Sequence, residues 1–335
     1  MKRLIIPFLA LAAVAACQKA PQTNSEEINE FGYLTVSLSQ ERPITKADPT
    51  PATDDEKAEK KVSVYVFNKR NGRLDAYKDI VSTAAECKFK LTTGEKKVYA
   101  LINGANLPGR ETVTSITELE ALVDDISTGT IATNGLTMIG SADVTVTMAS
   151  EATAAVTVSR LVSRVVINRI VNNLPAQYGK MKFECAYLGN AYSKSTLKGE
   201  SSVMVNPDGY ADAGKTKMIG KAGEQGSCAP YMFKTIGQEV LVGNAMSTPV
   251  SLYCQPNPSD TYTTLLIYVT YGGDLDGYYP IKLSKKLLAN TTYSLDITCN
   301  NPPVSKPDEE FQVNGLNVTI TVSDWTTGEQ YTVEM

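Results

Sequence analysis

The chain has 335 residues, enough for about two domains of roughly 150 residues each. Hydrophobic residues make up 42% and charged residues 20%, and the net charge of −4 comes from interspersed acids and bases, which is typical of a globular protein and excludes the basic stripe of a nucleic-acid binder. The sequence contains no histidine, which excludes catalytic dyads and triads and metal sites that need imidazole. We therefore expect no nucleic-acid partner, no metal site and no cofactor.

The first segment is predicted to be an export signal. Lys2 and Arg3 are followed by an apolar run too short to cross a bilayer, and the run ends in Val14-Ala15-Ala16-Cys17. This ending resembles the lipobox of bacterial lipoproteins. Residues 1–16 are accordingly expected to be a lipoprotein signal peptide and Cys17 the lipidated N-terminus, with an ordinary signal peptide as the alternative. Several acyl chains would hold the protein stably on a membrane.

Residues 17–46 are predicted to combine a polar tether with one strand. The strand is indicated by Leu34, Val36 and Leu38, which alternate with polar residues and so predict a half-buried strand. Residues 41–61 are again polar and contain three prolines, and most of this stretch is interpreted as a solvated linker.

The next block indicates strands and one helix. Val62, Val64 and Val66 alternate with other residues, and Asn71-Gly72 predicts a hairpin whose return is Leu74 to Ile80. Ser115, with Glu118 three residues later, predicts a helix start. The expected apolar face of that helix consists of Ile116, Leu119, Leu122, Val123 and Ile126. Further strands are predicted at Lys97–Asn103, Val144–Met148 and Val156–Ile170.

Asn172-Asn173-Leu174-Pro175 interrupts this pattern and is predicted to be the domain boundary. The following block again consists of short strands separated by turns. These strands are predicted at Glu239–Val242, Pro249–Cys254, Thr263–Tyr271, Tyr278–Leu283, Thr292–Thr298, Asn317–Val322 and Gln330–Met335. The predicted fold class is all-β with one or two short helices, in two tandem transthyretin-like β-sandwich domains, residues 47–172 and 176–335.

Candidates for chemistry are few. Asp274-Leu275-Asp276-Gly277 resembles the start of a calcium loop, but Tyr278 and Lys285 stand where the loop needs oxygen ligands, so a hairpin turn is favoured. The cysteines after Cys17 are interpreted as small buried hydrophobes, with one disulfide among the last four as the alternative and its pairing open. These residues are Cys87, Cys185, Cys228, Cys254 and Cys299. No catalytic residue is proposed.

A family resemblance rests on several motifs in a fixed order. They are the lipobox at Cys17, the strand Phe31–Gln40, Thr45-Lys46-Ala47, Val62–Asn68, Lys96 to Asn103, Arg160-Leu161-Val162-Ser163-Arg164-Val165, Tyr253 to Asn257, Ala289 to Tyr293, and Val318–Val322 with Asp324-Trp325. Together they resemble the FimA-like fimbrillins, the subunits of type V pili of Bacteroidales outer membranes, over nearly the whole chain.

The resemblance implies how such a protein assembles. It would reach the outer membrane as a lipoprotein, and a trypsin-like protease would cut between Lys46 and Ala47. An arginine is typical at that position in the best-known fimbrillins, so Arg42 is the alternative. The N-terminal strand would then leave, and the C-terminal segment of another pilus subunit would fill the vacated groove at the cell surface. The expected product is a homo- or heteropolymeric fimbrium that supports adhesion.

The residues fit this mechanism physically. Burial of Leu34, Val36 and Leu38 is worth roughly 5–9 kcal/mol at about 1.5–3 kcal/mol each, which is large beside a typical domain stability of about 5–15 kcal/mol. Two alternating runs are candidate donor strands, and the alternative is that both are ordinary strands of the second domain. The runs are Val318, Ile320 and Val322, and Tyr331, Val333 and Met335.

Two functions of other classes stay open. One is a surface lipoprotein that never polymerises, such as a pilus anchor or tip or an adhesin for glycan or host protein. The other is a β-sandwich hydrolase that uses carboxylates, although no carboxylate pair stands out. Shaft, tip and accessory positions within a pilus are not distinguished by the sequence.

Overall fold

The computed structural model describes residues 31–40, 52–205, 229–246, 248–273, 275–283, 286–307, 316–324 and 331–334. The predicted signal peptide, the tether and the processing positions lie outside the described residues, as do Cys228, Asp274 and Met335. The described residues contain no helix long and apolar enough to cross a membrane.

Short strands dominate the described chain. The strands are β1 (Phe31–Gln40), β2 (Val62–Asn68), β3 (Leu74–Ile80), β4 (Cys87–Thr92), β5 (Gly94–Ile102), β6 (Val123–Asp125), β7 (Met138–Val146), β8 (Glu151–Arg160), β9 (Ser163–Asn172), β10 (Met181–Gly189), β11 (Ala191–Thr196), β12 (Ser201–Val205), β13 (Phe233–Val240), β14 (Val250–Cys254), β15 (Thr264–Tyr271), β16 (Leu275–Lys282), β17 (Thr291–Cys299), β18 (Leu316–Asp324) and β19 (Tyr331–Glu334). The α-helices are α1 (Asp54–Lys57), α2 (Ile116–Glu120) and α3 (Ile131–Asn134), with single 3₁₀ turns at Gly104–Asn106, Arg110–Thr112 and Ala176–Tyr178.

The first domain is a sandwich in which β1 is an interior strand. Its strand order is β3-β2-β5-β7-β8-β1-β4, and β7 and β8 pair only at Met138–Arg160 and Ile139–Ser159. The sheet folds at this narrow contact, so that β8, β1 and β4 pack against β3, β2, β5 and β7 around one apolar core. Gly140 permits the close approach, because a Cβ there would lie 2.0 Å from the Thr157 carbonyl oxygen.

The second domain is also a sandwich, so the predicted fold class is confirmed. One sheet has the order β13-β10-β15-β16 and the other β14-β9-β17-β18-β19, and a second core lies between them. A small sheet, β12-β11-β6, joins the domains, because β6 comes from the first block and pairs with β11 of the second.

The domain boundary lies earlier than the expected Asn172–Pro175. The apolar stretch predicted as one strand, Val156–Ile170, is divided between two strands in different sheets, β8 and β9. Strand β9 pairs with β14 and β17 of the second domain, and its inward Val165 and Ile167 belong to the second core. The chain therefore changes domain at about Leu161–Val162, because the inward residues of β9 find their partners in the second sandwich.

The helix predicted after Ser115 is shorter than expected, because its expected continuation pairs with a distant strand. Helix α2 begins after Ser115, whose hydroxyl accepts from the Glu118 N–H as predicted, but it ends at Glu120. Val123, expected on its apolar face, instead lies in β6, where pairing with β11 satisfies the backbone. Strand β2 is buried on both faces, since the 104–122 segment covers its Tyr65 and Phe67.

The hairpin and cysteine predictions agree with the described residues. Leu275 and Asp276 pair with Tyr271 and Thr270 in the β15–β16 hairpin, and no cluster that could hold a metal occurs among the described side chains. The four described cysteines after Cys17 are buried and form no disulfide with one another, and burial raises the pKa of two of them, Cys254 and Cys299, to about 12.

Asn103 directly follows β5, and its side chain forms hydrogen bonds with two other segments of the chain. Its backbone adopts a left-handed conformation with φ of 60°, which asparagine tolerates better than most residues. The side-chain oxygen accepts from the Lys60 N–H at 2.7 Å, and the amide group donates to the carbonyls of Ala58 and Leu136, each at 2.9 Å. The asparagine at the end of this strand therefore has a structural role.

Asn103→Ala should lower the free energy of unfolding by about 3 kcal/mol, because it leaves a buried N–H and two carbonyls without partners at roughly 1–3 kcal/mol each. Urea unfolding followed by circular dichroism measures this loss. Asn106→Ala, at an exposed position on the neighbouring turn, is the control and should change stability little. Equal stability of both variants would contradict the role given to Asn103.

Candidate functional site

The candidate site is the place that β1 occupies in the first domain. Leu34 and Val36 of the predicted releasable strand are buried, with exposed fractions of 0% and 3%, and Leu38 packs partly buried at the margin of the same core. The opposite face of the strand carries hydroxyl side chains directed to the surface, among them Thr35, which donates to Glu151 at 2.6 Å. The alternation predicted from sequence is thus present in the sheet.

Strand β1 is paired along both of its edges. It runs antiparallel to β4 from Phe31 to Val36 and parallel to β8 from Tyr33 to Gln40. Without β1, the backbone groups of β4 and β8 that face it would lose their partners, and the core side chains beneath it would be uncovered. The site is therefore a groove with two hydrogen-bonding walls and an apolar floor.

The two ends of β1 are held by different parts of the chain. At the start, the Tyr33 N–H donates to the Ser150 carbonyl at 3.0 Å and the Phe31 carbonyl accepts from Ala149 at 3.2 Å, so the β7–β8 turn closes this end. At the other end, the Gln40 side-chain amide donates to Glu59 at 2.7 Å. Glu59 also accepts from the backbone and hydroxyl of Thr83 at 2.8 Å each.

Residues 41–51, which include Arg42, Lys46 and Ala47, lie between β1 and the rest of the domain and outside the described residues. The described chain resumes at residue 52, and the hydroxyl of Thr53 caps α1 in a capping box with Glu56. The prediction of a solvated linker is therefore wrong for part of 52–61, because α1 lies there and Glu56 is fully buried.

Glu56 forms a buried ion pair across the domain junction. Its Oε1 lies 2.7 Å from Arg164 Nε and accepts from the Tyr253 hydroxyl at 2.6 Å, and all three side chains are buried. Its carbonyl accepts from Arg160 at 3.2 Å. Burial and then the Glu56 carboxylate raise the pKa of Tyr253 far above its ordinary value, so the phenol remains protonated and donates. We call these four residues the junction clamp.

The clamp was not predicted as a functional feature from sequence. Arg160, the last residue of β8, and Arg164, in β9, belong to a motif that the sequence identified, and two arginines in an apolar stretch give a signal that a carboxylate must be near. Glu56 stands in a run of charged residues that is typical of solvated chain. Only the fold brings residues 56 and 164 together.

Both candidate donor runs lie in the sheet of their own second domain. Strand β18 pairs with β17 along its whole length, from Leu316 to Asp324, and its Val318 is buried in the second core. Among the described residues, β19 is at the sheet edge and pairs with β18 alone, from Tyr331 to Glu334. This is the arrangement that the alternative interpretation of these runs described. The side chains of Ile320, Val322, Tyr331 and Val333 are not among those described.

Comparison with known proteins places this fold in one family. The profile of the major fimbrial subunit protein FimA matches residues 33–252, from β1 to β14. No curated protein matches the chain.

Several solved structures share the fold. A fimbrilin (FimA) from Porphyromonas gingivalis W83 has a TM-score of 0.60 with 15% identity, covering 89% of this chain and 98% of that chain. A candidate cell adhesion protein from Bacteroides eggerthii has a TM-score of 0.62 with 18% identity, covering 90% and 98%. A fimbrial assembly protein from Parabacteroides distasonis has a TM-score of 0.51 with 14% identity, covering 91% and 100%.

The profile match spans most of the chain, including the groove strand, β1, and the Arg164 strand, β9. The chain belongs to the FimA major fimbrial subunit family.

Proposed function

We propose that this chain is a structural pilus subunit of the outer surface. In this proposal it is exported as a lipoprotein, cut in the segment after β1, and polymerised by strand exchange into a fimbrium that supports adhesion. The observation that carries the proposal is the position of β1, an interior strand that only a short segment joins to the rest of its domain. Family membership supports a role as a fimbrial subunit that assembles with others of its kind. The proposed role is structural and not enzymatic.

The junction clamp fits cleavage in the preceding segment. A cut between Lys46 and Ala47 would separate β1 from a chain that is held again from Thr53 onward. Glu56 is anchored to Arg164 and Tyr253, both on the second domain's side of the junction. Loss of β1 would therefore leave both domains and their junction in place, and the change would be confined to the groove.

The same structure gives a reason to keep a second candidate, a surface adhesin that does not polymerise. Strands β18 and β19 are already paired within their own sheet, so a donor segment must first leave it. Strand β19 has the lower cost of release, since in the described part of the chain it pairs with one neighbour, over four residues. Its release would leave the β17–β18 pairing intact.

Membrane attachment through Cys17 is tested by metabolic labelling. A palmitate analogue should label the precursor in whole cells, and Cys17→Ser should abolish the label because the thiol is the acceptor. Cys87→Ser, at a buried thiol, is the control and should remain labelled. Unchanged labelling of the Cys17 variant would exclude this anchor.

Cleavage after Lys46 should give assembled fibres whose N-terminus is Ala47, because a basic residue in a polar, proline-flanked segment is accessible to a trypsin-like protease. Mass spectrometry of fibre N-termini measures this. Lys46→Gln should block processing, whereas Arg42→Gln should not. Fibres that begin at Pro43 would move the site to Arg42, and fibres that retain residues 18–46 would refute strand release itself.

A charge on a donor strand should abolish polymerisation, since an unpaired charge in an apolar groove has no compensating partner. Val333→Asp tests β19 and Ile320→Asp tests β18, with Thr332→Asp and Thr319→Asp as matched controls on the alternate positions of the same strands. If β19 is the donor, Val333→Asp yields a folded monomer and Ile320→Asp does not block assembly. Electron microscopy and light scattering follow assembly, and circular dichroism confirms folding.

Deletion of residues 330–335 removes the β19 run without placing a charge near the second core. Normal fibres from this deletion and from a folded Ile320→Asp protein would exclude C-terminal donation and favour the adhesin.

A further inference from the structure

The inward-facing positions of β1 begin at Gly32, two residues before the first inward apolar residue, Leu34. The strand alternates between buried and exposed positions, and Gly32 is the first buried one, before Leu34 and Val36. A Cβ at this position would lie 2.3 Å from the carbonyl oxygen of Thr147 and 2.6 Å from Cγ1 of Val146. Carbon atoms do not approach neighbours this closely, so only glycine fits.

The obstruction is built into the fold. The nearer atom, the Thr147 oxygen, belongs to the backbone of the β7–β8 connection and cannot rotate away as a side chain could. Val146 is itself buried in the first core, with an exposed fraction of 1%. The groove thus has three apolar positions, under Leu34, Val36 and Leu38. At the next inward position, that of Gly32, a wall leaves no room for a side chain. We call this wall, formed by Val146 and Thr147, the closed end.

We propose that the closed end sets the register and direction of any strand that occupies the groove, and that it selects the Tyr331–Met335 run of a second copy of this chain. The part about the occupant rests on the proposed function, whereas the closed end itself is a property of the folded domain. An occupying strand must present glycine at the Gly32 position or must end at the Leu34 position.

The Val318–Val322 run does not meet this condition. If it enters in the direction of β1, with Val318, Ile320 and Val322 in the three apolar positions, Leu316 falls on the closed end. If it enters in the opposite direction, Asp324 falls there. Both residues carry a Cβ, which would clash with the closed end, so this run fits in neither direction.

The Tyr331–Met335 run fits in one direction only. In the direction of β1, Glu329 would fall on the closed end. In the opposite direction, Tyr331 takes the Leu38 position, Val333 the Val36 position and Met335 the Leu34 position, and the run itself places no residue at the wall. The incoming strand would then run antiparallel to β8 and parallel to β4, the reverse of β1.

The first test concerns the full-length chain and does not depend on strand exchange. Gly32→Ala should lower the thermal midpoint by several degrees, because either the strand or the β7–β8 turn must move. Ser37→Ala, at an exposed position of the same strand, should change it little. Combining Gly32→Ala with Val146→Ala should not restore stability, since the Thr147 carbonyl remains. A Gly32→Ala protein as stable as the parent would overturn the closed end.

The second test uses subunits from which residues 1–46 have been removed by cleavage. The peptide of residues 31–40 should bind these subunits, and the same peptide carrying Gly32→Ala should bind at least tenfold more weakly. Equal binding of the glycine and alanine peptides would overturn the register rule. Cleaved subunits that retain β1 and bind no peptide would refute the proposed function, while the stability test still decides on the closed end.

A matched pair of peptides decides the direction. Residues 328–335 extended by Ser-Gly place glycine at the wall in the reversed direction, and the same peptide extended by Ser-Ala places a Cβ there. The Ser-Gly peptide should bind the cleaved subunit at least tenfold more tightly. Equal affinities, or no binding by either peptide to a subunit that binds residues 31–40, would overturn the assignment of this run.

Discussion

The first domain depends on β1, which is paired with a neighbouring strand along each of its edges. The short segment 41–51 joins β1 to the part of the domain that follows it. Strand β1 lies between β8 and β4, so within the described sheet β4 is joined to the other strands through β1. The buried Leu34 and Val36 contribute roughly 3–6 kcal/mol at about 1.5–3 kcal/mol each, and the two rows of backbone hydrogen bonds add to this. A domain that keeps β1 has its groove filled, whereas a domain that loses β1 exposes a groove with high affinity for another strand. The interior position of β1 and its proposed removal together are the basis of the proposed assembly.

The junction clamp has the complementary task of holding what remains. A buried ion pair contributes little net stability relative to apolar residues, but removing one partner costs about 3–5 kcal/mol because the other charge is left unpaired. Glu56 therefore fixes the position of the chain against Arg164 rather than adding general stability. It holds the chain in place directly after the segment in which cleavage is proposed. In the proposed assembly, the boundary between the part of the chain that is removed and the part that remains lies between Gln40 and Thr53.

Local patterns in the sequence predicted much of the fold. The alternation of Leu34, Val36 and Leu38, the Asn71-Gly72 turn and the helix start at Ser115 each depend on neighbouring residues, and all three are present. The features that the sequence did not reveal depend on distant partners. Helix α2 is cut short because β11, some 70 residues later, pairs with its expected continuation, and β9 changes domain because its partners lie at 250–254 and 291–299.

The residues of the candidate site also divide into those that local sequence patterns predicted and those that depend on distant partners. The apolar residues of β1 were identified from their period, because burial on one face of a strand leaves a signal in the strand itself. Gly32 leaves no such signal, since its importance comes from the Thr147 carbonyl more than a hundred residues away. Glu56 was taken for part of a solvated linker for the same reason. Steric and electrostatic partners across the fold decide these positions.

A reversible disulfide between β1 and β4 tests the proposed release of β1 most directly. Tyr33 and Lys90 face each other on β1 and β4, and the Tyr33 N–H donates to the other side, to Ser150, so this pair is not bridged by backbone hydrogen bonds and its side chains lie close. In the double variant Tyr33→Cys/Lys90→Cys, the oxidised protein should be cleaved after Lys46 yet remain monomeric, and reduction should start polymerisation. Fibres that form from the cleaved, oxidised protein with the cross-link intact would contradict release of β1 as the step that opens the groove.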